Sequence, residues 1–132
     1  MNNNDNREFG YLTVRVSTAR GAIPLSGATV NIRDGEDSST VLYSLISDND
    51  GKTERVSLPT PPIENSETPG GQTAYATYSI DVFKEGYVPL YFHNVPVFPS
   101  VISVQPAVMI PATEIRTVNG GNVNGAFQPS AQ

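Results

Sequence analysis

The sequence predicts an all-β sandwich of seven short strands. Three observations carry this prediction. Apolar residues alternate at period two in one segment after another, Gly, Pro, Asn and Asp punctuate the chain between those segments, and no stretch carries a convincing amphipathic helix. Two sheets are required, because a single sheet would leave its apolar face in water.

The best-patterned strand lies in Ala74 to Gly86. Ala76, Tyr78, Ile80 and Val82 share one face, and Tyr75, Thr77, Ser79, Asp81 and Phe83 share the other, so the first set is expected in the core. The other strands follow in chain order. Gly10 to Ser17 directs Leu12, Val14 and Val16 inward. Thr18 to Gly27 is a connection in which Ile23 and Leu25 flank Pro24 and tuck under the sandwich edge. Ala28 to Arg33 buries Ala28, Val30 and Ile32, and Asp34 to Ser39 is a turn by composition. Thr40 to Ser47 is the third strand. Asp48-Asn49-Asp50-Gly51 is the strongest turn signal, and it predicts that Lys52 to Leu58 returns as a hairpin partner of the third strand. Pro59 to Thr73, with four prolines and two glycines, reads as a long loop. Tyr87 to Val95, interrupted by Pro89, reads as an edge or bulged strand, and Val101 to Ile110 is the last. Residues 1–9 read as a disordered lead-in, 10–111 as the sandwich and 112–132 as a flexible Gly/Asn-rich tail.

Composition excludes several function classes. The formal charge is -5 and the eight Lys and Arg are scattered singly, so the chain lacks the positive surface that nucleic acid or an anionic membrane requires. With no cysteine, disulfides, thiolate zinc sites and cysteine nucleophiles are ruled out. No apolar run approaches the roughly 20 residues of a membrane-spanning helix. The opening MNNNDNRE lacks the basic and apolar regions of a signal peptide, so the chain is expected to stay inside its cell or to leave by another route.

The order of the motifs resembles a known family. Gly10-Tyr-Leu-Thr-Val-Arg-Val16 is followed by Ile23-Pro-Leu-Ser-Gly-Ala-Thr-Val-Asn-Ile32, Ser47-Asp-Asn-Asp-Gly-Lys-Thr53, Leu58-Pro59 and Tyr78-Ser-Ile-Asp-Val-Phe-Lys-Glu-Gly-Tyr87. Together they resemble the carboxypeptidase regulatory-like domains, whose fold is a seven-stranded transthyretin-like (prealbumin-like) Greek-key β-sandwich. Tyr75-Ala-Thr-Tyr78, Asn94-Val-Pro-Val-Phe98, Ile102-Ser-Val-Gln-Pro106 and Ile110-Pro111 further resemble the N-terminal non-catalytic modules of clostridial spore cortex-lytic and related peptidoglycan hydrolases. The resemblance implies an accessory module with no cofactor, whose partner is a protein or a fused hydrolase domain, and a setting in the cell envelope, the spore or outside the cell. Any catalytic domain would lie outside these 132 residues.

The residues that could carry chemistry point the same way. His93 is the sole histidine, and no serine has a nucleophile-elbow context around it. Asp48-x-Asp50-Gly51 resembles the start of an EF-hand loop, but the twelfth position is Pro59 where a bidentate Glu is needed. Asp34, Glu36 and Asp37 form a denser acidic turn that could take calcium with backbone carbonyls, although a solvated turn explains it as well. Asp81, Glu85 and Glu54 are not brought together by their spacing, as glycoside hydrolysis would require. A pilin-type Lys–Asn cross-link would need a first-strand Lys, where Arg15 stands, and a last-strand Asn, which is missing. Aromatic residues remain. Tyr78 has core parity, whereas Tyr75, Tyr91, Phe92 and Phe98 are the candidate interaction surface, for a protein or for stacking on peptidoglycan sugars together with the 59–73 loop. The apolar Tyr87–Phe98 edge is expected to be covered by a neighbour.

Overall fold

The computed structural model describes residues 8–62 and 74–113, which form an all-β two-sheet sandwich of eight strands. The strands are β1 (Glu8–Thr18), β2 (Ile23–Pro24), β3 (Thr29–Asp34), β4 (Val41–Ile46), β5 (Val56–Thr60), β6 (Ala76–Phe83), β7 (Leu90–Val97) and β8 (Ile102–Val108). One sheet is built around β1, and the other runs β4-β3-β6-β7 with all its pairs antiparallel. Along one edge β1 pairs antiparallel with β5 and β2, and along the other it pairs parallel with β8 from Tyr11↔Ile102 to Ser17↔Val108.

Alternation fills the space between the sheets. Leu12, Val14 and Val16 of β1 and Leu58 of β5 meet Val30 and Ile32 of β3 and Ile80 and Val82 of β6, all essentially inaccessible. Each such side chain contributes about 1.5–3 kcal/mol by leaving water. Two tyrosines of the four-strand antiparallel sheet cross this layer. Tyr43 Oη donates to the Ser57 carbonyl at 3.0 Å, and Tyr78 Oη donates to the Pro59 carbonyl. Both phenols thereby tie their sheet to β5 without leaving a buried hydroxyl unpaired.

The structure departs from the sequence reading at several points. The eighth strand is the two-residue β2, inside the segment read as a connection; Leu25 is buried there but Ile23 is more than half exposed. The expected hairpin between Thr40–Ser47 and Lys52–Leu58 does not form. A two-residue type I′ turn needs positive φ at both central residues, and in Asp48–Gly51 only Gly51 has it. Asp48 Oδ1 instead accepts the N–H groups of Asp50 and Lys52 at 2.9 and 3.0 Å. The chain then crosses to the other sheet: Val16 N–H donates to the Gly51 carbonyl, Thr53 N–H donates to the Val14 carbonyl, and β5 pairs with β1.

Three boundaries also move. β1 begins at Glu8, with Glu8 and Phe9 opposite Thr60 and Pro59, so these two residues are strand rather than lead-in. Pro59 and Thr60 end β5 and do not belong to the loop. Ala112 N–H donates to the Gly86 carbonyl at 2.9 Å, which docks the start of the segment read as a tail. The predicted loop from residue 63 to 73, the lead-in from 1 to 7 and the tail from 114 onward lie outside the described residues.

Candidate functional site

The exposed aromatic residues are placed by one irregularity in β7. Opposite β6, Tyr78 pairs with Val95 and Ile80 pairs with Phe92, so Ser79 faces two residues, His93 and Asn94. This is a β-bulge, and Asn94 sits in it with φ 60°, a left-handed conformation that asparagine tolerates better than most residues. The extra residue reverses the strand's parity. Before the bulge, Tyr91 faces out and Phe92 packs against the core. After it, Val95 and Val97 are buried while Asn94 and Pro96 are exposed.

The reversal brings Asn94, Pro96 and Phe98 beside the outward residues of β6. Tyr75 and Phe98 form a tilted pair with ring centroids 5.4 Å apart and planes at 43°. With Thr77, Asn94 and Pro96 they line an open groove of about 650 Å³. Tyr75 is 49% exposed, and among the described residues neither the Thr77 hydroxyl nor the Asn94 side-chain amide makes a hydrogen bond. Phe98 is held from behind. Val101 N–H donates to its carbonyl at 3.2 Å, and Gly10 of β1 lies so close to that carbonyl that a β-carbon there would collide with it. Beyond Tyr75 and Thr77, a second open hollow of about 690 Å³ extends towards Asp34, Glu36 and Pro61.

Of the four aromatic candidates, the structure therefore joins Tyr75 and Phe98. Tyr91 is 57% exposed on the same sheet but opposite Asp81, where it meets Phe83 edge-on at 5.9 Å. That is four β6 residues from Thr77, about 13 Å at the strand rise. Phe92 points inward opposite Ile80 and does not belong to this surface.

β7 is an edge strand of its sheet, as the Tyr87–Phe98 reading expects, but most of its apolar side chains turn inward and the larger exposed apolar surface lies on β8. Leu90, Phe92 and Tyr87 pack on the core, whereas Ile102, Val104 and Val108 of β8 are 57%, 55% and 41% exposed on the outer face of the β1 sheet. Val101 and Ile110, beyond the strand's two ends, are also exposed. The Val101–Ile110 sequence is apolar at both parities, so alternation alone does not separate its outward half from its inward half; the register with β1 does.

The charged residues are engaged locally. Asp81, which the sequence left without a partner, accepts a hydrogen bond from Arg33 Nε at 2.6 Å; Asn31 faces Asp81 and Arg33 lies diagonally beside it. Asp37 accepts bonds from the Ser39 hydroxyl, the Thr40 hydroxyl and the Ser39 N–H, and these bonds to its charged form hold its carboxyl below the usual aspartate range. Asp34 Oδ1 accepts the Glu36 N–H. Among the described residues no three His, Asp or Glu side chains converge as metal ligands. His93 is exposed in the bulge, and no described helix is long and apolar enough to cross a membrane.

No family model and no curated protein matches the chain. Solved structures do. The chain is similar to the Bacillus anthracis TIE protein at 14% identity and TM-score 0.52, over 79% of this chain and 17% of that one. It is similar to 3-chlorocatechol 1,2-dioxygenase from Rhodococcus opacus at 13% identity and TM-score 0.52, over 85% and 64%. It is similar to GBS52, the minor pilin of Streptococcus agalactiae, at 14% identity and TM-score 0.51, over 94% and 49%. The chain spans less than two thirds of the length of each. At these identities the likeness is one of fold: a two-sheet β-sandwich used within larger proteins, among them a pilin and an enzyme.

Proposed function

We propose that the chain is a non-catalytic interaction module that docks a protein partner, in the peptidoglycan-hydrolysis setting implied by its resemblance to spore cortex-lytic and related hydrolases. The observation that carries this reading is the exposed apolar stripe of β8. Ile102, Val104 and Val108, each more than 40% exposed, follow one another along the outer sheet face with Pro106 between the two valines, and Thr13 and Arg15 of β1 stand opposite Val104 and Pro106. An apolar centre with a polar rim is the pattern of a protein interface.

The edge beside the stripe favours contact through side chains over addition of a strand. Tyr11 N–H donates to the Val101 carbonyl and Met109 N–H to the Ser17 carbonyl, so the odd-numbered residues of this segment turn their backbone groups towards β1. The even-numbered residues of β8 turn theirs away from β1, to an edge with no partner strand among the described residues, and Pro106 among them has no N–H to offer. The same reading takes the sandwich as transthyretin-like, a finer assignment supported by the motif order from Gly10 to Tyr87. The GBS52 likeness supports a module of this general kind.

The test is binding of the purified chain to peptidoglycan hydrolase catalytic domains from the same genome, with Val104→Asp as the comparison. Val104 is exposed, so the variant keeps its fold. Binding that Val104→Asp abolishes is the expected result. Absence of binding, or binding indifferent to Val104→Asp, overturns docking by this face, and release of fragments from labelled peptidoglycan by the isolated chain overturns the non-catalytic reading.

A further inference from the structure

The Tyr75–Phe98 groove lies on the outer face of the other sheet and has a different chemistry from the β8 stripe. Its five lining residues carry no formal charge. It combines two aromatic rings set at 43° with a hydroxyl and an amide that make no side-chain hydrogen bond among the described residues. A purely apolar occupant would leave those polar groups unsatisfied, and an ionic occupant would find no counter-charge among the lining residues. A polyproline segment would want a succession of aromatic slots along an extended ligand, and the groove holds one aromatic pair.

We propose that this groove is a subsite for one ring of a neutral saccharide. A pyranose presents an apolar C–H face and a hydroxyl rim. The face fits against Tyr75 and Phe98, while the Asn94 amide can both donate to and accept from hydroxyls and the Thr77 hydroxyl supplies a second polar contact. The volume of about 650 Å³ is in the range of small-ligand sites. The groove is also built in advance. The β7 bulge turns Asn94 outward in a left-handed conformation, and the close Gly10 contact together with the Val101 N–H bond fixes the backbone of Phe98. Bulges of this kind re-aim side chains at functional sites, and a wall fixed before binding avoids the entropy of ordering it. A longer saccharide would continue past Tyr75 towards Asp34 and Glu36.

The experiment is an NMR titration of the isotope-labelled chain with tri-N-acetylchitotriose and with cellotriose, up to about 10 mM so that millimolar affinity is detected. Amide shifts grouped at Tyr75, Thr77, Asn94 and Phe98 with either sugar are expected, and the two sugars separate recognition of an N-acetylated wall-type ring from that of a plain glucan. Tyr75→Ala should weaken binding about tenfold, as loss of a stacking face does. Asn94→Gly, which keeps the left-handed backbone, should weaken it as well, and Tyr91→Ala should leave it unchanged. Three results would overturn the proposal: no shifts with either sugar, shifts that survive Tyr75→Ala, or a polyproline peptide that perturbs these four residues when the sugars do not. None of these bears on the Val104→Asp result, so the two surfaces succeed or fail separately.

Discussion

The β7 bulge makes the sharpest prediction, because it reverses which residues hold the sandwich together. With Phe92 inward, an unbroken strand would bury positions 94 and 96 and expose 95 and 97. The bulge does the opposite: Val97 is fully buried, Val95 is 8% exposed and Pro96 is exposed. Val97→Ala removes two buried methyl groups, about 1.6 kcal/mol of transfer free energy at about 0.8 each, and the space left against Gly10 raises the loss to roughly 2–3 kcal/mol. Val95→Ala should lose slightly less. Pro96→Ala loses no core contact, so its effect of about 1 kcal/mol or less comes from a freer unfolded chain. Urea unfolding followed by circular dichroism gives all three values, and in thermal melts Val97→Ala should fall by roughly 10 °C. Within the bulge, Asn94→Ala should cost about 1 kcal/mol, since alanine resists φ 60°, while Asn94→Gly should be near neutral. If Pro96→Ala destabilises as much as Val97→Ala, or Asn94→Ala is as stable as Asn94→Gly, the bulge does not lie between Phe92 and Val95.

Other changes test the rest of the frame. Gly51→Ala places a methyl against the Val16 carbonyl at a φ of 80°, and should destabilise by about 2–4 kcal/mol in the same urea assay. Arg33 and Asp81 form a half-buried pair, so a double-mutant cycle to alanine should give a coupling of about 1–2 kcal/mol, between exposed and buried pairs; a value near zero at moderate salt would refute it. The Asp37 carboxyl, held down first by the Ser39 hydroxyl, should titrate below an ordinary aspartate in carboxyl-carbon NMR. Its folded value is depressed, so its contribution is complete above the unfolded aspartate range and is lost as pH falls through the lower folded value; Ser39→Ala should move the titration back up.

What could be read from the sequence was local. The inward sets Leu12–Val14–Val16, Val30–Ile32 and Ile80–Val82 follow from period-two alternation and are all buried. Pairing between distant segments was not legible. Lys52–Leu58 carries the same pattern whether it joins β4 or β1; in the structure β5 pairs with β1, and Gly51 is the one residue of the Asp48–Gly51 turn with a positive φ. Ser79 and Asp81 are buried, against their outward parity, because β6 has a neighbour on each side and Arg33 lies across Asp81. Strand parity and position mark Tyr75 and Phe98 as surface aromatics, but their meeting depends on a bulge whose one cue in the sequence is an asparagine able to adopt a left-handed conformation. The exposed stripe of β8 was hidden by the run Val101–Ile110, where Met109 and Ala107 are apolar for the core and Val104 and Val108 are apolar on the outside.

The two candidate surfaces lie on opposite faces of the sandwich, and this has a measurable consequence. Packed sheets stand about 10 Å apart, so residues on the two outer faces are separated by more than that distance. Among the described residues Tyr75 and Val104 share no partner, and the packed core of the sandwich lies between them. Sites this far apart with nothing in common add to within about 0.3–0.5 kcal/mol. The cycle Tyr75→Ala, Val104→Asp and the double variant should therefore show no coupling in stability beyond that limit. Each single variant should also leave the other surface's binding unchanged, so that a saccharide and a protein partner can be held at once. A coupling above about 1 kcal/mol would mean that the core carries strain from one face to the other, and the picture of two independent surfaces on one frame would have to be given up.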